Sequence, residues 1–436
     1  MWRKGQERNP TAGLARIERK SILKPDVRKT CSTIFLYFFL SLCLVSIFSG
    51  PSSAFMAYSR EEEFEEINVE ESIEFASSPE TRDLIQFNIF EDIARAKNLL
   101  ETKKCGFQVV KTKKGKKNEL GEFTILLAVE DVKTRNIRVV RVHPKHGGTS
   151  DGVVVEPGKS NGVNTKFIIR YPEHHIVLAL RRPVRHGTSF KEVIYTPFSE
   201  GLDLPAVREA GLDYLKNILR EAKNDLIRRG VRPQSCDTFV SDETSVALAI
   251  IEHIDPLKFE SGKYTSEKLI HETLVILGTN RQDAYRYSAS KAGARGLFQF
   301  IPNTYKRMVQ LYPQAGLNSD FVRGMEDHLN AAKASLLLFD ADLRVMNNGK
   351  KEQLMDDPQA LGRFLASSYN CGSGKTSRAM VRYGENWQAN VPSETQIYLK
   401  KFDAVWEWMN VQPQTVRTIT ILGSGTMDSP ISLSGR

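Results

Sequence analysis

The spacing of apolar positions changes twice along this chain of 436 residues. A stretch beginning SSPE at 77–80 carries an apolar pattern to about Leu100, and a proline at the first helical position with acids beside it predicts a helix there. Short runs rich in Val, Ile, Phe and Thr then recur at 106–112, 122–129, 136–142, 165–171, 176–181 and 192–196, parted by Gly, Asn, Lys and Asp clusters, which predicts a β-rich region. From Leu204 the spacing becomes helical again, with Pro205 near the start, Arg228 and Arg229 at the end, and Gly230 as the closing residue. Beyond Ser241, helices are predicted over 241–254, 266–277, 296–311, 325–347, 358–370 and 393–410. The expected class is α+β, β-rich first and all-α last.

The uncharged run TIFLYFFLSLCLVSIF at 33–48 stands outside this pattern, preceded by Arg28 and Lys29 and followed by small residues. It predicts a leader, residues 1–56, either cut after Ala54 or kept as an inner-membrane anchor. Export to the periplasm or cell envelope is expected in both cases. The leader holds nine Lys/Arg and three Asp/Glu of a chain whose net charge is +9, leaving +3 for the rest, so a dedicated nucleic-acid binder is not expected. Of five cysteines, Cys31 and Cys43 fall in the leader, and Cys105, Cys236 and Cys371 are far apart, which indicates neither a disulfide framework nor a zinc cluster. His143, His146, His174, His175 and His186 lack a repeated ligand spacing and are read as loop or strand-end residues. The KTKKGKK run at 111–117 is read as a charged hairpin turn able to touch an anionic surface.

Candidate chemistry begins with Ser241-Asp242-Glu243, a helix start followed by VALAIIEHI. A helix apolar on every side is buried, and Glu252 lies at its end, where burial would raise a carboxyl pKa toward neutrality. The other reading is a surface glutamate beside His253 and Asp255. The stretch SASKAGARGLFQFIPNTY at 288–305 concentrates small residues where a ligand or a neighbouring helix could approach the backbone. Ser290 and Gln299 add hydrogen-bonding groups suited to amides and hydroxyls. The expectation is that this room serves a chain of sugars.

Three motifs in order resemble those of the lytic transglycosylases with a goose-lysozyme-like domain, which cut bacterial peptidoglycan. They are S-x-x-G-A-x-G-L-x-Q from Ser290 to Gln299, Tyr369-Asn370-Cys371-Gly372-x-Gly374, and Pro392-x-Glu394-Thr395-x-x-Tyr398. The resemblance covers roughly 240–410 and implies a lysozyme-like domain at 241–410, preceded by a β-rich domain of unassigned role at 57–200 and a connecting helix and linker at 201–240. Residues 411–436 are read as a tail. In the family the catalytic glutamate lies about ten residues before the motif serine. Glu252 lies 38 before Ser290, so residues 257–286 would form an insertion looping out between them. Glu260 looks more like the family's Glu-Ser signature, but Pro256 breaks the helix before it.

The resemblance implies Glu252 as the single catalytic acid, with Ser290, Gln299, Tyr369, Asn370 and Tyr398 as substrate-binding or bracing residues. It implies glycan strands of peptidoglycan as partner, no cofactor, no metal, and membrane contact only through the leader. The implied reaction is non-hydrolytic cleavage between N-acetylmuramic acid and N-acetylglucosamine, giving 1,6-anhydro ends. Two alternatives stand beside it: a peptidoglycan-binding module that does not cut, and a lysozyme-type hydrolase with a second carboxylate, for which Asp255 and Glu260 are nearest in sequence. CGSGKT at 371–376 imitates the end of a nucleotide-binding loop, but Tyr369 stands where its first glycine should be, and GRFLASSY before it reads as helix.

Overall fold

The computed structural model describes residues 89–112, 118–231, 233, 241–346 and 348–411. The leader, the acidic stretch at 60–71, residues 77–88 of the first predicted helix, Cys236 and the tail lie outside the described residues. The architecture is α+β: sheets over about 107–195, then helices from about 200 to 411.

Helix α1 (Ile89–Glu101) buries Ile89, Ile93, Ala96 and Leu100, one apolar stripe at helical spacing. That stripe packs on the antiparallel sheet β4-β3-β8-β9, formed by β3 (Ile125–Asp131), β4 (Ile137–Val142), β8 (His175–His186) and β9 (Ser189–Tyr195). The central strand β3 is buried from Ile125 through Glu130, as a strand covered on both faces must be. Pro183 is tolerated in β8 because it lies beyond the residues that pair with β3, on an edge that needs no N–H from it. A hairpin of β1 (Phe107–Lys111) and β2 (Asn118–Phe123) brackets the lysine run, and β5 (Gly148–Ser150), β6 (Val153–Pro157) and β7 (Phe167–Tyr171) make a third sheet. The predicted strand at 122–129 is in fact the end of β2 and most of β3, and β5 and β6 have no counterpart among the predicted strands.

The helical part comprises α2 (Pro205–Arg228), α3 (Asp242–Ile251), α4 (Pro256–Glu260), α5 (Ser266–Asn280), α6 (Pro302–Leu311), α7 (Phe321–Glu326), α8 (His328–Arg344), α9 (Asn348–Met355), α10 (Pro358–Cys371), α11 (Ser373–Tyr383) and α12 (Ser393–Val411). As expected, α3 is apolar and buried from Thr244 to Ile251. The predicted helix at 325–347 is broken at Asp327, whose carboxylate caps the start of α8. The predicted helix at 296–311 starts only at Pro302, after a tightly turned loop.

The segment 257–286 does not loop out. Its α5 is buried over Leu269, Ile270 and Thr273–Asn280 and packs against α2, with glycines setting the approach. A Cβ on Gly278 would lie 2.2 Å from the Val207 carbonyl oxygen, and one on Gly211 would lie 2.1 Å from that of Leu274. Only glycine at both positions lets these helices touch backbone to backbone. The end of α5 is also stitched to the β-rich region, where the Asn280 side chain accepts from Thr196 N and donates to Thr196 O, both at 2.8 Å.

These contacts make Gly278→Ala a test of the packing. Forcing a methyl group into that crossing should cost about 1–3 kcal/mol or more in urea unfolding, against less than about 1 kcal/mol for alanine at Gly374, which has only the tip of Arg378 nearby.

Candidate active site

Glu252 is the residue after α3, half-buried, and its carboxyl meets α12. The buried Tyr398 hydroxyl donates to Glu252 Oε1 at 2.6 Å. One turn further along α12, buried Lys401 donates through Nζ to the Ile251 carbonyl at 2.9 Å and to that of Ile254 at 3.1 Å. The ammonium therefore adds charge-assisted bonds to carbonyls at the end of α3, where Ile251 O accepts only a 3.3 Å bond from Ile254 N, and hydrogen bonds from a charged donor contribute roughly 1.5–3 kcal/mol. It also lies 5.3 Å from the Tyr398 ring centroid.

Burial raises the Glu252 pKa to about 7, against the Tyr398 hydrogen bond and the Lys401 charge, which lower it, while the exposed Glu394 raises it further. The C-terminal end of a helix is itself an unfavourable place for a carboxylate. Lys401 is in turn pulled down by burial and held up by Glu252 and Asp255.

The next residue, His253, ties this corner to the glycine-rich loop. Its Nε2 donates to the Leu297 carbonyl at 2.8 Å, and its ring stacks on Tyr285 with centroids 3.4 Å apart and an interplanar angle of 8°. Burial lowers its pKa to about 3, so the imidazole is neutral. Tyr369 on α10 donates to the adjacent Phe298 carbonyl at 2.5 Å and packs edge-on against Phe300. Both bonds fix the segment 297–298, and burial, with a smaller contribution from the Glu252 charge, raises the Tyr369 pKa.

Within that loop the small residues have divided uses. Gly293 (φ +85°) and Gly296 (φ +74°) occupy left-handed conformations. A Cβ on Gly296 would lie 2.3 Å from the Met325 carbonyl oxygen, so the room expected for sugars is filled there by the backbone of α7. Gly293 faces more open space, with Pro302 the nearest group at 3.9 Å.

The remaining sequence-predicted residues are drawn into the same framework. Ser290 is exposed, and its Oγ accepts from Ala294 N at 3.0 Å, clamping the loop. Gln299 sits at φ +46° and donates from Nε2 to Gly296 O at 2.7 Å. Asn370 Oδ1 accepts from the buried Thr395 hydroxyl at 2.7 Å. Thus Thr395, Tyr398 and Lys401, at successive turns of α12, hold Asn370, Glu252 and the end of α3. Tyr398, which a core-bracing reading fits equally, touches the acid directly.

The two nearest carboxylates in sequence are elsewhere engaged or distant in character. Asp255 caps α4 by accepting from Leu257 N and Lys258 N, and Glu260 is exposed at that helix's end. Lys401 and the Tyr285–His253 stack escaped the sequence reading. A lysine three residues after Tyr398, on the same stripe as the buried Phe402 and Val405, was the available signal for the first. Among the described residues no group of three or more His, Cys, Asp or Glu could hold a metal ion, and no helix is long and apolar enough to cross a membrane. CGSGKT spans the junction of α10 and α11, with no strand before it.

Because the folded-state pKa lies above the ordinary value of 4.5, this group's contribution to stability is fully present at low pH and is lost as pH rises through about 7. Glu252→Gln should therefore unfold at higher urea than the wild type at pH 8, by about 1–3 kcal/mol, and show no such gain at pH 4. Lys401→Met should move the Glu252 titration upward, read by carboxyl NMR, and lower stability at both pH values.

No protein-family model matches this chain, and no curated protein matches it significantly.

Proposed function

We propose that this protein is a peptidoglycan lytic transglycosylase, with Glu252 as its only catalytic carboxyl group. The observation that carries the reading is a carboxyl poised near pH 7 on a half-buried residue, hydrogen-bonded by Tyr398, whose neighbour His253 is bonded to the glycine-rich loop at Leu297 O. A group with that pKa is present in both protonation states at neutral pH, so one residue can serve first as acid and then as base. Glu252 donates its proton to the glycosidic oxygen between N-acetylmuramic acid and N-acetylglucosamine. The bond from muramoyl C1 to that oxygen breaks, N-acetylglucosamine leaves with the proton as its hydroxyl, and the Glu252 carboxylate accepts the proton of the muramoyl C6 hydroxyl while O6 bonds to C1 of the same sugar. The nucleophile belongs to the substrate, so orientation replaces the second carboxylate that glycosidases usually carry.

Lys401 and Tyr398 support the second half of this cycle. Their positive charge and hydroxyl donor stabilise the carboxylate that the first proton transfer leaves in a poorly solvated corner. Ser290 and Gln299 in the loop, and Asn370 on α10, offer polar groups to the N-acetyl and hydroxyl groups of the strand, with Tyr369 shaping the wall. A hydrolase would need a carboxylate opposite Glu252. Asp255 is committed to its cap; the carboxylate whose charge reaches Glu252 is the exposed Glu394.

Incubation with sacculi followed by mass spectrometry separates the readings. The expected products are anhydro-ended muropeptides, formed at a rate that falls as pH rises above about 7 because the acid must be protonated. Glu252→Gln should lower turnover by at least about a thousandfold with wall binding retained, while Glu260→Gln should stay within about twofold. Reducing ends instead of anhydro ends would identify a hydrolase, and binding by the wild type with no products would identify a tethering module.

A further inference from the structure

The near balance of charge after the leader conceals a division: residues 101–200 carry 19 Lys/Arg against 10 Asp/Glu, a net of +9. Part of that charge converges where the β-rich region meets the segment leading into the glycine-rich loop. Arg182 on β8 pairs with Val193, and Lys191 on β9 pairs with Val184, so the two cations share a face of the hairpin as diagonal neighbours. Lys191 Nζ lies 5.6 Å from the Tyr287 ring centroid. Arg182 Nη1 donates to the Gly162 carbonyl in the turn 162–164, and from that turn Asn164 Nδ2 reaches Ser288 Oγ at 3.4 Å. Ser288 O accepts from Gly296 N at 3.4 Å, which joins this seam to the loop carrying Ser290 and Gln299.

The pairing at the seam is incomplete in a specific way. Neighbouring cations are neutralised: Arg181 by Glu192, and Arg286 by Asp283 and Glu326. Neither Arg182 nor Lys191 forms an ion pair with a carboxylate among the described residues, although both are half-buried. Arg182 Nε and Asn164 Oδ1 are shielded from solvent and lack hydrogen-bond partners there. A guanidinium that donates through Nη1 to Gly162 O but leaves its Nε without a partner, beside an amide oxygen that has none, calls for a ligand that brings an anion and an N–H donor together.

We propose that Arg182, Lys191 and Asn164, with Tyr287 and Ser288, form a subsite for a carboxylate-bearing peptide branch on the saccharide strand. A peptide supplies both parts: its carboxylate meets the two cations and a backbone N–H meets Asn164 Oδ1, whereas a phosphate would leave the amide oxygen unsatisfied. This assignment rests on the reading of the Glu252 site as one that takes a glycan strand. It gives the β-rich region a role in selecting which strand enters.

The test is calorimetric binding in the Glu252→Gln background with three probes: a peptide-bearing glycan fragment, the same fragment stripped of peptide but keeping the lactyl carboxylate of its muramic acid, and an uncharged chito-oligosaccharide. Lys191→Ala and Arg182→Met should each lower the affinity ratio of peptide-bearing to uncharged probe about fivefold to tenfold. Asn164→Asp should lower it further by adding a like charge. If Arg182→Met fails to fold, Lys191→Ala and Asn164→Asp carry the test. An unchanged ratio, or an equal loss on the stripped fragment, overturns the subsite. Failure of the glycan reading would show differently: without the three substitutions, none of the probes would bind and the wild type would form no anhydro ends.

Discussion

A carboxyl group at the C-terminal end of a buried apolar helix is under two penalties, lost hydration and the negative end of the helix dipole. Everything gathered around Glu252 answers those penalties in part and leaves the rest. Tyr398 supplies one hydrogen bond, and Lys401 supplies a charge while satisfying the carbonyls on either side of the residue. Were the compensation complete, the group would be an ordinary carboxylate with no proton to give at neutral pH. Because burial still dominates, its pKa is raised to about 7, so both protonation states are present at neutral pH.

That balance demands rigidity, since a small outward displacement would rehydrate the carboxyl. His253 supplies one restraint through its bond to Leu297 O and its stack on Tyr285, whose backbone N–H donates to the Tyr195 hydroxyl at 3.3 Å. Tyr195 ends β9, so the sheet region contributes to holding the corner where the acid sits. Asn280 adds a second tie, binding both backbone groups of Thr196 from the end of α5. The segment between Glu252 and the glycine-rich loop, which spacing alone suggests is excess chain, is therefore part of the scaffold. Its helix α5 is buried, and it joins the sheet to the helices.

The larger elements were legible because their signals are local. The all-apolar run of α3, the proline-initiated α2 and α10, and most strands of the central sheet follow from periodicity and punctuation. The short strands β5 and β6 were missed because GTS and VVVEP are too brief to display a period. The loop at 288–300 was misread at its far end because Leu297, Phe298 and Phe300 are apolar and continue smoothly into α6. Their apolar character serves burial in a tight turn, with Gln299 at positive φ, and not a helical face. The glycines were correctly marked as places of close approach, yet the approaching group at Gly296 is the backbone of Met325.

The candidate site residues were singled out in two ways: Glu252 by its place at the end of an all-apolar helix, and Ser290, Gln299, Tyr369, Asn370 and Tyr398 by motifs that resemble those of a known family. How each is used was decided by residues far away in sequence: Tyr398 and Lys401 lie about 150 positions from the helix end they secure. The same holds for the pairing of Asn164 with Ser288 and for the charges of Arg182 and Lys191, which meet no carboxylate among the described residues. Burial and helix start signals are short-range properties that a sequence displays directly. Desolvation and the pairing of polar groups depend on what the folded chain brings within a few ångströms, and only the tertiary structure determines that.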